Sequence, residues 1–200
     1  LWNMSGSVFY DGSCLKHAEP ELSTATFAVT QVNAEGEAEA VLQGTVPKGT
    51  PQTSQSAENY GRTAAVQLLD GPAVLYGDCK AVVDAARLPP WRAGHHRRMY
   101  AGTRRLADKC EFSGRVSDQK VKAHRKLDSA ADANEAWEIK GNDHADRNAV
   151  AAQSLHPRPS AWQAEEQRTQ DDKLAQVCRV LGAVPRLWPK AERHTANGGK

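Results

Sequence analysis

The period of the apolar positions switches several times along this chain, and each switch marks an element. Residues 7–13 begin with a β-prone run, Val8, Phe9 and Tyr10, that climbs into Asp11 and breaks at Gly12. "TATFAVTQV" (24–32) is rich in β-branched and aromatic residues, "AEG" supplies a turn at 34–36, and "EAEAVLQGTVP" (37–47) alternates as a returning strand. Residues 7–47 therefore predict a three-stranded antiparallel meander, closed by the turn-forming loop "PKGTPQT". From Ser54 to Leu69 the period becomes helical. Ala57, Gly61, Ala64, Ala65 and Leu68 recur at helical spacing behind a Thr53 or Ser54 cap, and Asp70-Gly71-Pro72 ends the run.

"AVLYGD" (73–78) is short and apolar, as expected of a strand buried on both faces. "CKAVVDAARL" (79–88) predicts a short helix stopped at Pro89-Pro90, "WRAGHHRR" (91–98) a basic loop, and "MYAGTRRLAD" (99–108) another helix. "QKVKAHR" (119–125) reads as a fifth strand. A polar stretch (126–141) then precedes a helix over "NDHADRNAVAAQ" (142–153), with Asn142 as its N-cap. The core order is β-β-β-α-β-α-α-β-α, which defines a domain over 1–153. Pro157 and Pro159 mark a linker that opens a second region, 154–200. There Leu174, Val177, Cys178 and Leu181 share one face of an amphipathic helix (162–181), expected to dock on the domain, the alternative being a partner-binding role, before a disordered tail, "HTANGGK".

Two hundred residues suit one domain with an appendage. The four cysteines (14, 79, 110, 178) are scattered, which argues against a zinc site or a disulfide scaffold and fits reduced thiols in an intracellular setting, nucleus or cytoplasm. No apolar stretch approaches the ~18 residues of a membrane span, and nothing reads as a signal peptide. An opening Leu1 is what a segment cut from a longer polypeptide would show. Net charge is only +2, yet 13 Lys/Arg face 4 Asp/Glu between Lys80 and Lys126, a local excess of +9 in an otherwise acidic chain. Such a block is a candidate phosphate-binding face.

The acids follow from the topology. A right-handed crossover helix places the fourth strand beside and parallel to the first, so that Asp11 and Asp78 lie near corresponding ends of adjacent strands. Glu58 on the linking helix and Asp146 on the last core helix can join them. Like charges this close raise one another's pKa unless something neutralises them, and hard divalent cations with a preference for oxygen do so.

At these residues the chain resembles ribonuclease H of the type 1 group, including the ribonuclease H domains of retroelements. "FYDGSC" is similar to the family's strand ending in T-D-G-S, "AENYGRTAAVQLL" to the helix with its glutamate, and "VLYGDCKAVVDA" to its T-D-S strand and helix. "VKAHR" resembles the V-K-G-H before a mobile histidine loop, and "GNDHADRNA" the N-E-x-A-D-x-x-A helix. The resemblance spans 7–152 in the family's order. It implies an α/β, ribonuclease H-like fold with a five-stranded mixed sheet, plus a C-terminal helical extension. It further implies an endonuclease hydrolysing the RNA strand of RNA–DNA hybrids with two Mg²⁺ or Mn²⁺ ions. Asp11, Glu58, Asp78 and Asp146 match the metal ligands, and His124 the loop histidine. Fusion to, or derivation from, a reverse transcriptase polyprotein is the implied context.

The basic block falls where some family members carry a protrusion that grips the hybrid. Arg92, Arg97, Arg98, Arg104, Arg105 and Lys122 are the expected phosphate contacts, with Trp91 beside them. Four departures stand out. The stretch from His124 to Asn142 is longer than usual and can re-aim His124, for which His144 is the fallback. Asp143 is the alternative to Asp146, though as a first-turn residue beside an N-cap it is already explained by the helix dipole. Arg62, four residues after Glu58, is expected either to pair with it or to face solvent. Gly61 and Gly77 replace larger residues, at a cost in stability or for a closer approach of helix to sheet. The reading of a different class is a non-catalytic nucleic-acid-binding or scaffold domain on the same fold. A haloacid-dehalogenase-type phosphatase needs a second Asp where this chain has Phe9.

Overall fold

A computed structural model describes residues 4–110 and 116–187. Strands β1 (Met4–Leu15), β2 (Thr24–Val32) and β3 (Ala38–Thr45) form the expected meander, followed by α1 (Ser54–Leu68), whose Thr53 side chain caps the Ser56 N–H at 3.1 Å. Then come β4 (Leu69–Gly77), α2 (Lys80–Ala86), a single turn α3 (Pro90–Ala93), α4 (Ala101–Cys110), β5 (Val116–Lys120), α5 (Ala133–Ala151) and α6 (Ala161–Leu187). The five strands make one mixed sheet in the order β3-β2-β1-β4-β5. β1 runs antiparallel to β2 and parallel to β4, so the crossover through α1 puts β1 and β4 side by side at its centre.

Alternation along β1 sends successive side chains to opposite layers. Val8 and Tyr10 join Val29, Ala65, Val66, Leu75 and Val82 under α1 and α2, while Phe9 packs with Val32, Val121, Ala145 and Trp137 under α5. Phe9 is fully buried; its ring stacks on Tyr76 at 4.6 Å and meets Trp137 edge-on at 5.3 Å. Burial of such a side chain is worth about 1.5–3 kcal/mol. It fixes the height of β1 between the two helical layers, and so the point at which Asp11 emerges.

Three departures from the sequence expectation bear on the layout of the core. Asp70-Gly71-Pro72 does not precede β4 but lies inside it, at a shift of register between the Met4–Leu69 and Gly6–Ala73 pairs. An irregularity in the ladder tolerates a residue without an N–H. β5 is not 119–125: it pairs from Ala73–Val116 to Gly77–Lys120 and ends because β4 ends, leaving Lys122 and His124 beyond the sheet. The last core helix begins nine residues early, at Ala133. Asp132 caps the Glu135 N–H at 2.8 Å and Glu135 returns a bond to the Ala131 N–H at 2.7 Å. Asn142 is therefore a buried mid-helix residue and no N-cap. Asp143 is not in a first turn either; it pairs with Arg147 at 2.7 Å.

The chain divides into two compact units, Leu1–Arg158 and Pro159–Lys200. Within the first, Gln153 Nε2 donates to Ser13 Oγ at 2.7 Å, which ties the end of α5 back to β1. The second contains α6, a 27-residue helix with Pro185 inside it, on which Leu174, Val177 and Leu181 are exposed. The tail expected to be disordered, 194–200, lies outside the described residues. Among the described residues no helix is long and apolar enough to cross a membrane.

Candidate active site

Asp11 sits four residues from the end of β1, on the same face as Phe9 by alternation. Asp78 follows the last residue of β4, and Glu58 lies in the second turn of α1. Two glycines let the helix close on the strand. A Cβ at Gly12 would collide with the backbone of Ala57 and Glu58, and one at Gly61 would come within 3.3 Å of the Asp11 carbonyl. Gly77 is likewise occupied, by the ring of Tyr10. Gly12 and Gly61 thus allow α1 to lie close on β1, and Gly77 makes room for Tyr10 against β4.

The result is a cluster in which Asp11, Glu58 and Asp78 each offer a carboxylate oxygen, all within 4.8 Å of one another. Asp11 is 4% exposed and Glu58 5% exposed, with Asp78 at the mouth. Burial pushes Asp11 up to about 6; a hydrogen bond with Glu58 and another from the Gly12 N–H at 2.6 Å pull against that, and Asp78 and Asp146 push it further. Glu58 is raised well above the usual carboxylate range, by burial first and then by its bond to Asp11 and the charges of Asp11 and Asp78. Glu58 Oε2 is buried without a hydrogen-bond partner among the described residues.

That donor set fits a hard divalent cation: three carboxylates, all oxygen, one atom orphaned, and mutual repulsion that a positive ion would relieve. Cys14 Sγ points instead to the Gln52 carbonyl at 3.3 Å.

Asp146 stands apart from the three. Its carboxylate acts on Asp11 electrostatically, and His124 Nδ1 lies 3.9 Å from its Oδ2. Asp146, His124, Lys122, Arg125 and Asn142 line a cleft of about 30 Å³. His124 has φ +48°, a left-handed conformation uncommon for a residue with a side chain, and its side chain is 76% exposed. The lengthened helix aims it: Glu135 on the early turns of α5 holds Lys122 at 2.8 Å and Arg125 at 3.5 Å, on either side of His124. His144 faces Glu37 at 3.8 Å.

Comparison with solved structures places this architecture. The chain matches the solution structure of the PFV RNase H domain with a TM-score of 0.55 at 16% identity, over 74% of this chain and 96% of that one. The fold is ribonuclease H-like. It also matches RNase H1 from the halophilic archaeon Halobacterium salinarum NRC-1 (TM-score 0.51, 17% identity, 76% and 100% covered). A third match is the Prototype Foamy Virus protease-reverse transcriptase (TM-score 0.57, 19% identity, 74% of this chain), of which it spans only 20%. That foamy viral protein has also been solved in complex with an RNA/DNA hybrid, matching at TM-score 0.57 and 12% identity. No protein-family model and no curated protein matches the sequence.

On this ribonuclease H-like frame the basic block splits in two. Arg92, Arg97, Arg98 and Arg105 are exposed, as is Trp91 at 75%. Arg104 is turned inward, 2.9 Å from Asp108 and 3.1 Å from the Ala86 carbonyl, and lines a cavity of about 310 Å³ with Arg98, Tyr100 and Asn59. Arg62 does not face solvent. It is 3% exposed and bound to Asp118 on β5. Asp118 was not singled out by sequence; its one signal is that an acid sits inside a strand, as Asp11 does.

Proposed function

We propose that the chain is a divalent-cation-dependent endonuclease that hydrolyses the RNA strand of RNA–DNA hybrids. The convergence of Asp11, Glu58 and Asp78 on a ribonuclease H-like fold carries this reading. Two ions, Mg²⁺ or Mn²⁺, would be held by these three side chains with Asp146 completing the set. When bound, such ions offset the charge of a phosphodiester and activate water for its hydrolysis.

The chain's own residues do the rest. Asp11, fixed by the Gly12 N–H and its neighbour Glu58, sets the centre of the site. His124, open to solvent beside Asp146, can carry a proton at its ring nitrogen between the site and bulk water. Arg92, Arg97, Arg98, Arg105 and Lys122 offer exposed cations for backbone phosphates, which position a duplex without reading its sequence. The shallow minor groove of an A-like hybrid, with its 2′-hydroxyls, is what would set the RNA strand apart.

The position of Asp146 favours a second reading, a binding domain on this fold that does not cut, because the fourth acid is outside the close cluster. One assay separates them. Folded protein should cleave a labelled hybrid with Mg²⁺ or Mn²⁺, leave duplex DNA intact, and stop in EDTA. Binding without cleavage at any cation concentration would leave only the second reading. Neutralising Arg92, Arg97, Arg98 and Arg105 together should weaken hybrid binding and flatten its salt dependence by up to about four phosphate contacts' worth of slope.

A further inference from the structure

The buried pair of Arg62 and Asp118 has no place in the reading so far. Arg62 Nε and Nη2 donate to Asp118 Oδ1 and Oδ2 at 2.7 and 2.8 Å, with the two side chains 4% and 6% exposed. A paired guanidinium fork in a dry setting is costly to desolvate and gives back geometry: two parallel bonds fix direction as well as distance. The elements it joins share no ladder. α1 packs chiefly on β1, while β5 lies beyond β4 at the sheet's edge. The Asp118 carbonyl also accepts from Arg87 Nη2, just past α2, at 2.9 Å, so three elements meet at this one residue.

Each end of the pair leads to the site. Arg62 is four residues after Glu58, one turn along the same side of α1. Asp118 lies on the strand that runs on through Val121, whose N–H bonds the Gly77 carbonyl at 3.1 Å beside Asp78, to Lys122 and His124. The Glu58 carboxylate bonds its fellow acid Asp11, and its Oε2 has no hydrogen bond among the described residues. Its place is therefore set from the helix side by the rotation of α1 about its axis. Apolar packing of small residues such as Ala57, Gly61 and Ala65 leaves that rotation soft; a two-pronged bond to the far edge of the sheet does not.

We propose that Arg62 and Asp118 are positioning residues, which lock the rotation of α1 and thereby set Glu58 against Asp11 and Asp78. This rests on the reading of those three acids as a cation site.

The test is calorimetric titration of Mn²⁺ into the full chain, alongside urea unfolding, for the parent, Arg62→Met/Asp118→Leu and Arg62→Lys. Replacing both partners of a buried pair with apolar residues of similar size is commonly neutral for stability. The double variant is therefore expected to keep its urea midpoint, yet to bind Mn²⁺ at least tenfold more weakly. Arg62→Lys keeps the charge but loses the fork, and is expected to weaken Mn²⁺ binding at least threefold; it decides the matter should the double variant not fold. A folded variant with Mn²⁺ affinity within twofold of the parent overturns the proposal and leaves the cation reading intact. Absence of Mn²⁺ binding by the parent itself overturns both.

Discussion

Asp11, Glu58 and Asp78 hang from the central strands and from the helix pressed on them, the first two almost wholly removed from water and Asp78 partly so. On the other arm Lys122, His124 and Asp146 stand on a loop and a helix face, 69%, 76% and 36% exposed. The first arm is set by backbone ladders and by glycines that admit no Cβ. The second is set by side-chain ion pairs to Glu135, reinforced by little more than solvent-screened charge. A cation holder needs the first kind of construction, since its ligands must converge before the ion arrives. A group that meets substrate and trades protons with water needs the second. The two arms should therefore fail differently: the buried one all at once, the open one by degrees.

Asp11→Asn is the largest break in that contrast. Hybrid cleavage should fall to background while the variant stays folded and still binds hybrid; undiminished cleavage would remove Asp11 from the site. The same change should stabilise the cation-free protein. Asp11 has its folded pKa raised from 3.8 to about 6, so the folded state holds its proton more tightly than the unfolded chain. Stability from that group is complete below about pH 4 and is lost as pH rises through about 6. At pH 7 the asparagine escapes that loss, a gain on the order of 2 kcal/mol that should vanish at pH 4. Thermal melts of both proteins in EDTA at the two pH values measure it.

Gly12→Ala should come next. Its Cβ would meet the backbone of Ala57 and Glu58, so α1 must retreat, at a cost of about 1–3 kcal/mol. Mn²⁺ binding should drop with it. Gly102 in α4 has open space around a built Cβ. Gly102→Ala should instead be neutral or stabilising by up to about 1 kcal/mol, as expected of a helical glycine. Equal urea midpoints for the two variants would mean that the closeness of α1 to β1 is not a tight constraint.

The same contrast governs what could be read beforehand. Asp11 and Asp78 were legible because an acid at the end of an apolar strand is out of place locally and needs a tertiary reason. Glu58 was legible because it lies one position past a small-residue face, on the helix that resembles the family's glutamate helix. The start of α5 was misplaced because Asn142 looks like a cap, while Asp132 and Glu135, three residues apart, carry the stronger reciprocal signal inside a polar stretch. The expected place of His124 on a strand failed for a related reason: a strand stops where its neighbour stops, and nothing local in 116–125 records the end of β4 at Gly77. Arg62 and Asp118 are 56 positions apart. No period or motif links them, and only the sheet order brings them together.

His124 offers the smallest effect and the sharpest test of the open arm. Its positive φ raises two separable questions, whether the ring or the backbone turn matters. Alanine removes the ring and strains the turn. Asparagine removes the ring's acid–base chemistry yet accepts the left-handed conformation more readily than most side chains. A ring that moves a proton predicts that His124→Ala and His124→Asn slow cleavage alike, by about 10²-fold, with hybrid binding and Mn²⁺ affinity unchanged. A turn that merely sets Lys122 and Arg125 on Glu135 predicts that only alanine is slow. A pH–rate profile adds the deciding detail: loss of one inflection of the parent's profile in both variants assigns the proton to the ring, and an unchanged profile in both takes His124 out of the proton path.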